Sequence, residues 1–235
     1  MASATGFSST AEDLVRYAAG HFRGDQRILT DHSKRLMQRR EWEVGDGSGY
    51  GLGFATADVG GRRVHGHGGG YPGHITRTWF DPEARLAVSV LTNAIDGPAL
   101  GYANAFLRLL QLTLDATPDP HAASIDLTRF TGRFATLWGV FDVVELGGRL
   151  HQLVSTLPDP GLDPTVLSVV DADTLRIERS SGYGSPGELL RYTRDADGHV
   201  VSLRAGSGTT AHPLHVFAGA VYDRDRIRHG DTFGG

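Results

Sequence analysis

Apolar and polar positions recur along this chain with two different periods, and the change of period divides it. Leu14, Tyr17 and Ala18 share a helical face behind Ser9 and Glu12, a capping-box pair, and predict a helix from Ser9 to about His21. Ile28–Leu29 and Arg35–Met37 are short and polar-flanked, predicting a loop with one further helical turn. Period-two alternation follows. Tyr50–Phe54, Arg62–His65, Ile75–Phe80 and Leu86–Leu91 predict an antiparallel meander, with turns at Gly60–Gly61 and Asp81–Ala84. Pro98 then opens a helix to about Leu114 with Leu100, Ala103, Leu107, Leu110 and Leu114 on one side.

Ala116–Ser124, holding Pro118 and Pro120, is a linker by composition. Beyond it the pattern is all short strands: Phe130–Phe134, Gly139–Leu146, Leu150–Val154, Val166–Val170, Thr174–Glu178, Glu188–Thr193 and Val200–Leu203. His212 and His215 alternate in a further late strand, and turns such as Gly147–Gly148 and Asp197–Gly198 separate the runs. The expected class is α+β: an antiparallel sheet with flanking helices, then a small all-β barrel or sandwich. The expected divisions are a first domain over 1–115, a linker over 116–124, a β domain over 125–225 and a flexible tail over 226–235. Trp42, Trp79 and Trp138 are expected as core or interface anchors, and Arg39–Arg40 as a solvated helix end.

Composition narrows the classes of function. The chain of 235 residues is 40% hydrophobic and 21% charged with net charge −4, which fits a globular protein and gives no reason to expect nucleic acid or an anionic membrane as partner. No run of about 18 apolar residues is present, so no membrane span is expected. Cysteine is absent, which excludes disulfide and thiolate chemistry and leaves the compartment open. The start lacks a basic and apolar leader pattern, and a helix so early predicts a chain entering in mid-domain.

The chemistry concentrates in Val64–His74, where three histidines and five glycines stand among eleven residues. So little side chain suits a corner where bare backbone approaches a ligand beside imidazoles, or a hairpin corner without function. Other readings of the same letters fail on context. His67–Gly70 matches the oxyanion motif of α/β-hydrolase esterases, but no Gly-x-Ser-x-Gly elbow follows. His65, His67 and His74 are of zinc-ligand type, yet no acidic residue lies among them. Gly68, Gly70 and Gly73 fit a dinucleotide fingerprint, but Pro72 interrupts it and a strand follows rather than a helix.

Four features in order resemble the C-terminal half of the serine β-lactamase-like hydrolases, the family of class C β-lactamases, D-aminopeptidases and related esterases. They are Gly6–Leu14 as the helix opening, Tyr50–Phe54 as the first strand after the helical region, His67-Gly68-Gly69 where the family has Lys-Thr-Gly or His-x-Gly, and Phe80–Asn93 as the closing hairpin. The second part is similar to the lipocalin-like barrel appended to such hydrolases, through Phe130-Thr131-Gly132-Arg133-Phe134. The resemblance implies amide or ester hydrolysis through an acyl-enzyme in full-length relatives, on a small-molecule or peptide acyl substrate, without metal or organic cofactor. It implies that His67 polarises the pocket or meets a substrate carboxylate, that Gly70 N–H serves the oxyanion, and that Gly68, Gly69, Tyr71 and His74 line the cleft.

One count sets this chain apart. The family's serine is followed three residues later by lysine, a spacing that places hydroxyl and amine on one helix face. Lys34 is the single lysine, and position 31 is Asp31. Ser-x-x-Lys is therefore absent from these residues. Tyr102-Ala103-Asn104 matches the family's Tyr-x-Asn by letters only, since it falls after the glycine run inside a predicted helix. The expectation is a truncated family member, catalytically incomplete alone, which self-associates or is complemented by a separate N-terminal half. The alternative is a non-catalytic binding module that keeps the cleft wall and the barrel.

Overall fold

A computed structural model describes residues 6–220 apart from Asp46, Ala123 and Tyr183. The chain forms two compact units, Met1–Gln111 and Leu112–Gly235. The tail expected over 226–235 lies outside the described residues.

In the first unit, helix α1 spans Ala11–Ala19 and α2 spans Asp31–Gln38. The N-cap of α1 is Thr10, not Ser9: its hydroxyl accepts from Asp13 N at 3.2 Å, while Glu12 pairs with Arg16 one turn on. The helix stops at Ala19, short of His21, whose ring is instead buried against Phe80, Phe54 and Tyr17. The segment expected as one further helical turn is the full helix α2, capped by the Thr30 hydroxyl. Lys34 in α2 is fully buried, and its ammonium donates to the carbonyls of Phe22 and Asp25. It ties down the loop between the helices.

Six strands follow in sequence order as one antiparallel meander: β1 Trp42–Gly45, β2 Ser48–Tyr50, β3 Ala55–Val59, β4 Arg62–Tyr71, β5 His74–Asp81 and β6 Leu86–Thr92. Of the alternation read at Tyr50–Phe54, Tyr50 ends β2 and the rest is a corner rather than a strand, since Leu52 N donates to Met37 O and Gly51 N to Phe54 O. The glycine-rich run is the larger correction. It is not a corner but the second half of β4, a ten-residue strand, and the chain reverses only at Pro72–Gly73, where Gly73 has φ +83°. Within the strand, a Cβ on Gly66 would lie 1.9 Å from Thr78 O, so this position accepts only glycine.

Cross-strand neighbours share a face, and the two faces have separate cores. Val59, Val64 and Trp79 pack on Ala103 and Leu107 of helix α3, which spans Ala99–Leu114. Phe54 and Phe80 pack on Ala18 and Phe22 beside α1. Of the three tryptophans only Trp79 is an anchor: Trp42 and Trp138 are 58% and 84% exposed.

In the second unit eight strands close a barrel: β7 Gly132–Thr136, β8 Gly139–Leu146, β9 Arg149–Leu153, β10 Thr165–Asp171, β11 Thr174–Arg179, β12 Leu189–Arg194, β13 Val200–Ala205 and β14 Thr210–Pro213. The last strand closes it by pairing with both β13 and β7. His212 lies in that strand, but His215 lies in the following helix α4, Leu214–Ala220, so the two do not share a strand. Phe130, Phe134, Leu150, Leu167, Leu175 and Tyr192 belong to one buried cluster that fills the barrel, and the Tyr192 hydroxyl donates to Phe130 O at 2.9 Å. The compositional linker is docked rather than free: buried Asp119 accepts from Val169 N at 2.7 Å and from His121 N at 2.9 Å.

Candidate active site

Strand β4 has two halves with different neighbours. From Arg62 to Gly66 it pairs with β3 on one side, while from His65 to Tyr71 it pairs with β5 on the other. Past Gly66, β3 has ended. Among the described residues no strand takes the free side of His67–Tyr71, so the backbone groups on that side face outward. Three consecutive glycines, Gly68–Gly70, remove the side chains that would keep a ligand from this open edge.

His67 stands at the start of the open stretch. It is exposed, its Nδ1 meets Gly68 O, and its ring makes an edge contact with Tyr50 at 5.8 Å between centroids. With Nδ1–H donating to that carbonyl, Nε2 carries the lone pair. A cavity of about 410 Å³ adjoins the strand end, lined by His67, Gly68, Gly69 and Gly70 together with Ala55, Ile75, Thr76, Arg77 and Leu100. Tyr71 and His74 do not line it. They face each other across the hairpin end, both exposed.

Arg77 is the residue that sequence reading missed. It lies directly across from Gly68 in the β4–β5 register, with its guanidinium carbon 4.7 Å from the Trp79 ring centroid. Its Nε is buried with no hydrogen-bond partner, and burial draws its pKa below the usual arginine value. It remains a cation, half withdrawn from water and short of an acceptor. Its sequence signal was only a polar position in an alternating strand. Its value depends on the exact pairing with Gly68, which the turn at Pro72–Gly73 sets.

The other histidines of the run do not join this site. His65, two residues before His67, is buried beside Phe80, and its pKa is pushed down to about 4, by burial first and then by Arg23 and Arg63. It is a neutral core histidine. Among the described residues the sole cluster with metal-ligand spacing is Asp195, Asp197 and His199, all exposed in a barrel turn, so His65, His67 and His74 make no such set. Asn104 of Tyr102-Ala103-Asn104 accepts from Trp79 Nε1 at 3.0 Å, which is helix-to-sheet packing. Lys34, held by two carbonyls in the core, has no access to a ligand.

Fold and site together define a sheet-and-helix domain with an open glycine strand edge, followed by a barrel. Residues 1–113 match the profile of the Beta-lactamase family, and the first unit is β-lactamase-like. Among solved structures the chain is similar to SurE with D-Leu, at 24% identity over 88% of this chain and 50% of that one, with TM-score 0.37. It is also similar to the octameric penicillin-binding protein homologue from Pyrococcus abyssi, at 20% identity over 86% and 46%, with TM-score 0.41. The chain thus spans about half the length of each. No curated protein matches it.

Proposed function

We propose that the open end of β4 is one wall of a serine-hydrolase-type acyl site, and that these 235 residues bind an acyl carboxylate there without turning it over. The observation that carries this reading is the cavity beside the unpaired strand edge, with His67 and Arg77 on its lining. In this reading Arg77, on the Gly68 face of the strand, pairs with the carboxylate, the glycine edge receives the acyl backbone, Gly70 N–H faces the acyl oxygen, and His67, on the other face, meets the part of the ligand that passes beyond the strand edge. Tyr71 and His74 take a peripheral place at the cleft mouth.

Turnover needs a nucleophile and a base, and the chain has no Ser-x-x-Lys; its one lysine is spent on structure. Loss of a single oxyanion donor alone costs on the order of 10²–10³ in rate. The reading is therefore of a partial β-lactamase-like protein, complete in chemistry only with a nucleophile-bearing partner segment. Incubation with a chromogenic β-lactam and a p-nitrophenyl ester, followed by intact-mass measurement, is expected to give neither turnover nor a covalent adduct. A stoichiometric serine adduct would overturn the reading.

A further inference from the structure

Two glycines on one face of β4 make room for side chains from β5. Gly66 lies directly across from Trp79 and Gly68 across from Arg77, so all four share the face on which α3 packs. A Cβ on Gly66 would come 3.0 Å from Trp79 Cε3, and a Cβ on Gly68 would come 2.9 Å from both Cζ and Nη2 of Arg77. The indole therefore leans over Gly66 and the guanidinium over Gly68, side by side, with Arg77 Cζ 4.7 Å from the Trp79 ring centroid. A side chain at either glycine would push the group above it aside.

The indole is itself held. Trp79 is buried against Ala103 and Leu107, and its Nε1–H donates to Asn104 of the same helix at 3.0 Å. The guanidinium has no such bond at Nε. What places it is the bare strand beneath and the ring beside it, a cation against an aromatic π-system. Its remaining side opens into the cavity whose wall it forms with Gly68, Ile75 and Leu100. A free arginine side chain must give up rotamer freedom to pair with an anion, and a held one has lost much of it beforehand.

We infer that Gly68 and Trp79 are positioning residues for Arg77, with Asn104 of α3 holding Trp79, so that the cation stands fixed at the cavity wall before a ligand arrives. Arg77 alone touches the carboxylate; the other three act through it. Gly68 then has a use beyond clearing the strand edge, and helix α3 sets the place of a charge it does not carry. That the ligand is a carboxylate rests on the acyl-site reading, whereas the placement of Arg77 belongs to the free protein.

Nuclear magnetic resonance of the free protein tests the placement, and calorimetric titration with benzylpenicillin tests its use. Arg77 Hδ and Hε are expected upfield of ordinary arginine values through the indole ring current, and to move back in Gly68→Ala and in Asn104→Leu. In Gly68→Ala the added Cβ meets only the far end of a flexible side chain, so unchanged circular dichroism is expected. Each variant should weaken the carboxylate about three- to tenfold, and neither should weaken it further in an Arg77→Ala background. Asn104→Asp, which keeps an acceptor for the indole, should restore both shift and affinity. Upfield shifts that persist in Gly68→Ala and Asn104→Leu, or equal losses of affinity with and without Arg77, would overturn the inference. A wild type that does not bind benzylpenicillin would overturn the acyl-site reading, while the Arg77 shifts would still decide this one.

Discussion

The sheet unit and the barrel unit solve the same problem in opposite ways. The barrel closes on itself, so each of its eight strands has two neighbours and its core is a single cluster. The sheet stays open, with two cores on two faces, an outer edge at β6 and a glycine-lined half-edge at β4. Closure leaves no backbone on offer, whereas openness leaves backbone, a cavity and an unpartnered Arg77 Nε in one place. The difference teaches where to look for binding: the filled barrel stabilises, and the sheet presents.

Substitutions that respect this division should act on one unit and spare the other. The largest effect is expected in the barrel. Phe134→Ala removes a ring that is 2% exposed and should cost about 3–5 kcal/mol, read from a denaturant midpoint, with ligand binding at β4 unchanged while folded. Acid should strike the sheet unit next. His65 titrates at about 4 in the fold against 6.5 when unfolded, so protonation favours the unfolded chain. Its neutral form stabilises fully above pH 6.5; that contribution is lost as pH falls toward 4, about 3 kcal/mol in all, and His65→Gln should flatten the profile in a urea series across pH.

Lys34→Met leaves the Phe22 and Asp25 carbonyls unsatisfied in the core and should cost about 2–3 kcal/mol. It should leave carboxylate binding untouched, which separates a structural lysine from a catalytic one. Arg77→Ala should weaken a carboxylate ligand about tenfold by calorimetry while leaving the melting temperature nearly unchanged. The smallest effect is Trp138→Ala, at a residue 84% exposed, expected within about 0.5 kcal/mol of wild type.

Much of the fold was legible in the sequence because alternation reports burial directly. Gly139–Leu146 has the expected bounds, β6 extends its expected run by Thr92 alone, and the helix after Pro98 begins at the next residue. The failures have a common cause. A glycine carries no side chain, so a run of them shows no alternation, and an extended strand such as His67–Gly70 reads like a corner. The reverse error placed a strand at Tyr50–Phe54, where backbone bonds to Met37 from a distant helix end decide the turn. The site was half legible. His67 and the glycines announced themselves by composition, and Arg77 did not, since only the hairpin register sets it across from Gly68. His65 looked like its neighbour His67 in sequence; two positions earlier in the same strand, beside Phe80 in the core, it is a packing residue.

Backbone amide shifts during titration with a β-lactam carboxylate test the central claim most directly. The account predicts shifts confined to His67–Arg77, abolished by Arg77→Ala and accompanied by no covalent adduct. Shifts centred on the barrel strands, or none at saturating ligand, would contradict it.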